Sequence, residues 1–246
     1  MNIKPVVRYQ SALNFHIFKT MYSIFYGLVV FFFILSLVRP SMHSNVSGLE
    51  MVTMITTFII GITTVRHSLR FFVSNGVTRR RFLLGALASF GIAAAATAAL
   101  DTVNAAVFRF LLGANFSTVY SMVRFPKGGT DPAVLSAPYL VQGFFWRFFL
   151  YLTLALCGAC IRALYLRLSR TVKVVVSAGV PALLFVGLPM LDSYAGGHIS
   201  AAFSVAFDAW IRLSTQPVPD AAIHIALSAV LAAILFLLLH RAEIMD

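Results

Sequence analysis

The chain has 246 residues, of which 60% are hydrophobic and only 11% charged, and its mean hydropathy is +0.89. A soluble domain carries about 25% charged residues, so this composition excludes an ordinary water-soluble enzyme and makes the chain an integral membrane protein. The net charge of +11 then becomes a question of where the basic residues fall, and their placement argues against nucleic-acid binding.

Residues 1–20 lack the layout of a secretory signal, which would place an apolar core directly after a short basic start. Val6, Tyr9, Leu13 and Ile17 recur at spacings of three and four, while Arg8, Ser11, Asn14 and Lys19 fall largely elsewhere on the wheel. The pattern predicts an amphipathic helix lying in the membrane interface, with Pro5 tolerated in its first turn. The other reading is an N-terminal extension of the first span.

Six apolar runs follow, over 21–38, 51–69, 82–100, 144–161, 172–190 and 221–239. A helix rising about 1.5 Å per residue needs roughly 20 residues to cross the hydrocarbon. The fold class is therefore an all-α membrane protein with six transmembrane helices in a single domain, 1–246. Orientation follows the Lys/Arg bias of the short loops. With the loop holding Arg79 on the cytosolic side, that side carries Lys4, Arg8, Lys19, Arg66, Arg70, Arg79, Arg80, Arg81, Arg162, Arg167, Arg170, Lys173 and Arg241. Glu50, Asp101, Asp131, Asp192, Asp208 and Asp220 fall outside. Both termini are then cytosolic in a multi-pass protein of the cell membrane, and the positive excess faces anionic lipid and any cytosolic partner.

Between the second and third spans lies FFVSNGVTRRRF, residues 71–82, too short to be a domain. Gly76 suits the left-handed position that ends one helix, and Thr78 the cap of the next. Three consecutive arginines then open the third span, where their charge opposes the helix dipole. An anchor for anionic lipid and a docking point for a protein carboxylate are the two readings of such a turn.

Within reach of the hydrocarbon, Asp101 directly follows the third span and Arg147 lies near the outer end of the fourth. An Asp101–Arg147 pair snorkelling to the outer headgroups is the simpler account, and a cavity or substrate role the sharper one. Thr53, Thr56, Thr57, Thr63 and Thr64 of span two either line a path or satisfy carbonyls and neighbouring helices. Pro126, Gly128, Gly129 and Pro132 mark an irregular outer connection, and Pro181 predicts a kink in span five. After Gly196-Gly197, Ile199, Phe203, Ala206, Trp210 and Leu213 repeat at four and three, predicting a short extracellular helix before the last span. It either dips into the outer leaflet or caps the bundle.

Several chemistries find no residues. The sequence has no phosphate-binding G-x-x-x-x-G-K-[ST], no G-x-S-x-G and no H-E-x-x-H. Cys157 and Cys160 form a C-x-x-C inside an apolar span, where packing is the better reading than redox or metal chemistry. Catalytic, cofactor and metal residues are therefore expected to be absent.

The six spans, the cytosolic ends, the turn S-N-G-V-T-R-R-R-F and the C-terminal Leu-His-Arg-Ala-Glu-Ile together resemble a permease subunit of the ABC-2 family of ATP-binding cassette exporters. The likeness covers nearly the whole chain by topology, and its motif-like part is the turn at 74–82. It implies a transport subunit, not an enzyme, that forms half of a translocation path with a second permease chain. ATP and Mg would be bound by a separate cytosolic ATP-binding subunit, coupled through the loop at 70–82, with Asn75, Gly76, Val77, Thr78, Arg79, Arg80 and Arg81 as the coupling residues. The alternative is a stand-alone channel, secondary transporter or membrane scaffold. Carboxylates within the spans would favour an ion-coupled carrier, and none of the six runs contains one.

Overall fold

The computed structural model describes residues 3–38, 46–47, 49–112, 116–124, 136–205 and 217–240. Its elements are α1 (Lys4–Val38), β1 (Val46–Ser47), α2 (Leu49–Ser74), α3 (Arg79–Leu112), β2 (Phe116–Ser117), α4 (Val119–Arg124), α5 (Ala137–Arg167), α6 (Arg170–Ala182), a π-helical segment (Leu183–Gly187), α7 (Leu188–Tyr194), α8 (198–205) and α9 (Pro217–His240). Five of the six apolar runs each fall within one helix, and the run 172–190 crosses α6, the π-helical segment and α7. Among the described residues, four stretches are long and apolar enough to cross a membrane: Arg79–Leu111, Ala137–Arg167, Thr171–Tyr194 and Pro219–Leu239. The apolar part of α2, Glu50–Val65, is shorter.

α5 is the hub of the bundle, packing on α2, α3 and α9, while α1 lies against α3 and α2. In lipid, moving a leucine from acyl chains into a protein core gains little hydrophobic free energy, so helices must associate through close van der Waals fit. The α2–α5 crossing meets that demand with glycine. A Cβ on Gly61 would stand 2.0 Å from the carbonyl oxygen of Ala155, and one on Gly158 would stand 2.2 Å from that of Phe58. The two backbones therefore touch. Ile60, Leu156, Ala159, Phe82, Phe90 and Leu235 close the core around that contact.

The N-terminal segment differs from expectation. Residues 4–38 form one continuous helix, with no break between the stretch expected at the interface and the first apolar run. Its buried stripe is Val6, Gln10, Asn14 and Phe18, while Tyr9 stays 43% exposed. Val6 fills the space that Gly85 leaves on α3, Gln10 accepts a hydrogen bond from Ser89, and Asn14 accepts one from Thr64. Hydrogen bonding to α2 and α3 put polar residues on the inner face, which a count of apolar residues alone misses.

Two further departures lie at the ends of the helices. α3 continues to Leu112, so Asp101 is an internal residue of that helix instead of its terminus. The connection after α3, expected to be irregular, contains β2, whose Phe116 and Ser117 pair in parallel with Val46 and Ser47, followed by α4. Pro126, Gly128, Gly129 and Pro132 fall outside the described residues. Pro181 sits inside α6, and the π-helical segment begins two residues beyond it. A backbone lacking one N–H donor relaxes by such a widened turn.

Of the amphipathic stretch expected after Gly196-Gly197, helix α8 (198–205) is described, whereas Ala206, Trp210 and Leu213 lie outside the described residues. Gly196 and Gly197 take φ of 65° and 82°, and Asp192 Oδ1 accepts the Ser200 N–H at 2.9 Å, fixing the start of α8.

Candidate functional site

Two polar features stand out among the described residues: the basic turn at one end of the bundle and a buried polar cluster towards the other. The turn is a complete helix stop. Val77 N–H reaches the Phe72 carbonyl at 2.9 Å and Gly76 N–H that of Val73 at 3.1 Å, the double bond pattern of a Schellman motif. Gly76 has φ 75°, the left-handed position expected from the sequence. Val77 packs on the core that includes Phe72, the apolar contact that accompanies this motif. Asn75 Nδ2 donates to the Phe71 carbonyl at 2.6 Å, and Thr78 Oγ1 accepts the Arg81 N–H at 3.4 Å, capping α3.

Tyr9 of α1 stacks on Phe71 with ring centroids 5.4 Å apart and meets Phe72 edge-on at 5.5 Å. Phe72 in turn lies 6.2 Å from Phe82. Three helices are thus joined by aromatic rings immediately behind the turn.

The arginines are not equivalent. Arg79 donates to the Leu239 carbonyl at the end of α9, at a long 3.5 Å. Arg167, from the end of α5, donates to the carbonyls of Leu237 at 3.3 Å and Leu238 at 2.6 Å. The last turn of a helix leaves carbonyls without intrahelical partners, and here two arginines from other helices supply them. Arg80 and Arg81 are exposed.

In the polar cluster, Glu50 sits in the first turn of α2 and is 2% exposed. Its Oε2 accepts the backbone N–H groups of Val119 and Tyr120 at the start of α4. Its Oε1 takes Arg147 through Nε at 2.6 Å and Nη2 at 2.5 Å. Arg147, also 2% exposed, adds a bond to Thr102 at 3.3 Å and lies 5.7 Å above the Tyr120 ring. The expected Asp101–Arg147 pair is therefore corrected: the guanidinium belongs to Glu50. Glu50 lies just before the second apolar run, so hydropathy treated it as a loop residue, while the helix begins one residue ahead of it.

Asp101 is held differently. Tyr151 Oη donates to its Oδ2 at 2.5 Å and Tyr22 Oη to its Oδ1 at 3.0 Å. Thr53 completes the group: its Oγ1 lies 3.1 Å from Tyr22 Oη, and it too hydrogen-bonds Asp101. Asp101 makes no ion pair among the described residues. It opens on a cleft between α1, α2 and α3, lined by Phe18, Met21, Tyr22, Phe25, Val52, Thr53, Thr56, Asp101 and Asn104. Asn104 Oδ1 accepts from Tyr26 at 2.8 Å.

The remaining span-two threonines turn mostly inward on their own helix. Thr56, Thr57 and Thr63 donate to the carbonyls of Val52, Thr53 and Ile59. Cys160 is buried and donates to the Leu231 carbonyl at 3.2 Å, which joins α5 to α9. Thr153 and Ser228 bond at 2.8 Å across the same interface. No group of three or more His, Cys, Asp or Glu side chains able to hold a metal occurs among the described residues. Comparisons of the chain with protein-family models, curated proteins and solved structures return no match.

Proposed function

We propose that the chain is the transmembrane subunit of an ATP-driven exporter of the ABC-2 kind, forming half of a translocation path with a second permease chain. In this reading all six apolar helices cross the cell membrane, both termini are cytosolic, and a separate cytosolic subunit binds ATP and Mg. The observation that carries it is the turn. A Schellman stop, a threonine cap and an aromatic backing hold Asn75–Arg81 in one shape, while Arg80 and Arg81 remain exposed. A loop that only anchors the chain to anionic lipid has no need of a fixed shape, because lipid charge is diffuse. Paired carboxylates on a docked protein do reward one, since arginine binds them in a fork.

The test is affinity purification of the tagged chain from its native membrane. An ATP-binding subunit is expected to travel with it, and Arg80→Glu/Arg81→Glu should lose that subunit at matched membrane expression. Arg79 is left intact because it also reaches α9. Recovery of the ATPase at wild-type level by the double variant, or its absence from the wild type, would remove the coupling role.

A second reading, an ion-coupled carrier or channel acting without an ATPase, draws support from Asp101. It is a buried carboxylate inside a membrane-crossing helix, of the kind that coupled carriers place on their ion paths. Transport by the chain reconstituted alone, with an ion gradient and no nucleotide, would favour it.

A further inference from the structure

We propose that the cleft between α1, α2 and α3 binds a monovalent alkali cation on Asp101. The first argument is charge. Glu50 and Arg147 neutralise one another through two short contacts, so the neighbouring pair leaves nothing to match Asp101. The groups that hydrogen-bond Asp101 are the hydroxyls of Tyr151, Tyr22 and Thr53, which can all donate to an ionised carboxylate. An ionised carboxylate taken out of water without a counter-charge costs several kcal/mol. A cation in the adjoining cleft would cancel that charge.

The second argument is the donor set. Besides Asp101, the cleft is lined by four oxygen-bearing side chains, Thr53, Thr56, Tyr22 and Asn104, with the Met21 thioether and no cysteine or histidine. Oxygen-rich sites favour hard cations. A single carboxylate balances one positive charge, and no acidic cluster fit for a divalent ion occurs among the described residues. A carboxylate has about four lone-pair sites; Tyr22, Tyr151 and Thr53 occupy three, which leaves capacity for one further ligand.

The three helices each contribute: Tyr22 from α1, the two threonines from α2, and Asp101 with Asn104 from α3. An ion bound there would therefore tie α1 to the α2–α3 pair at the end opposite the aromatic contacts of the turn. The site belongs to this chain and holds whether or not an ATPase drives transport.

The test uses the full chain in nanodiscs. Thermal unfolding is followed in NaCl and in choline chloride at equal ionic strength and fixed pH, with equilibrium binding of radioactive Na⁺ measured alongside. Binding to the folded state alone raises Tm in proportion to the logarithm of ligand concentration. A saturable Na⁺-specific rise in Tm and one Na⁺ bound per chain are expected. Asp101→Asn should lose both, and Thr56→Val should weaken Na⁺ about tenfold, the smaller end of what loss of one supporting group costs a metal site. Thr56→Val removes only a hydroxyl that bonds back to its own helix, so it carries the test should Asp101→Asn fail to fold. Equal curves in sodium and choline would overturn the proposal, as would sodium binding retained at wild-type affinity by Asp101→Asn or by Thr56→Val. A response that follows pH and ignores sodium would also overturn it, since the site would then serve a proton.

Discussion

Glu50 and Arg147 form a buried ion pair whose two halves are unequally supported, and that asymmetry can be measured. Glu50→Gln keeps an oxygen for the Val119 and Tyr120 N–H groups but removes the charge facing Arg147. The guanidinium then retains Thr102, the face of Tyr120 and the more distant charge of Asp101. Breaking a buried pair by removing one partner costs about 3–5 kcal/mol, because the other charge is stranded. Glu50→Gln should fall in that range. Arg147→Met strands Glu50 less severely, since two backbone donors still reach its carboxylate, and about 2 kcal/mol is expected from loss of the charged hydrogen bonds. The double variant should cost less than the sum, with a coupling of about 1–3 kcal/mol.

The assay is reversible unfolding in mixed micelles of rising SDS fraction, read by tryptophan fluorescence. Trp146 is a suitable reporter, being buried and 5.4 Å from the Tyr120 ring beneath Arg147. Additive single-variant costs, or Arg147→Met costing more than Glu50→Gln, would refute the reasoning.

Two other outcomes are expected. Gly158→Leu should separate α2 from α5, because even a Cβ there would stand 2.2 Å from a backbone carbonyl that cannot rotate away. A loss at or above the ~1–3 kcal/mol typical of overpacking is expected in the same unfolding assay, whereas Gly27→Leu, with open space at its Cβ, should be near neutral. Single cysteines at Thr78 and Gly128, in a Cys157→Ser/Cys160→Ala background, should label from opposite sides of intact cells; labelling of both from outside would break the proposed topology.

Helix positions were legible because apolar runs of membrane length have few other uses. The Gly76 stop and Thr78 cap were equally readable, since each rests on a property of one residue type. What escaped was the partnership of polar side chains. Asp101 and Arg147 are close in the expected order of spans, and charge alone matched them. The structure instead seats Arg147 on a glutamate that sequence hydropathy consigned to a loop, and seats Asp101 on tyrosines whose hydroxyls are silent in a hydropathy count. Asn14 was likewise set on the polar face of the first helix, because nothing local to that helix announces the Thr64 hydroxyl waiting on its neighbour.

The arginine contacts at the end of α9 have a bearing on how the chain is made. Synthesis runs from the N-terminus, and domains tend to form in that order. The last helix therefore arrives to find Arg79 and Arg167 already delivered by helices ahead of it. Its final carbonyls, which would otherwise lack intrahelical partners, are met by a prepared berth. The same two cations thereby register where the last helix comes to rest against its neighbours.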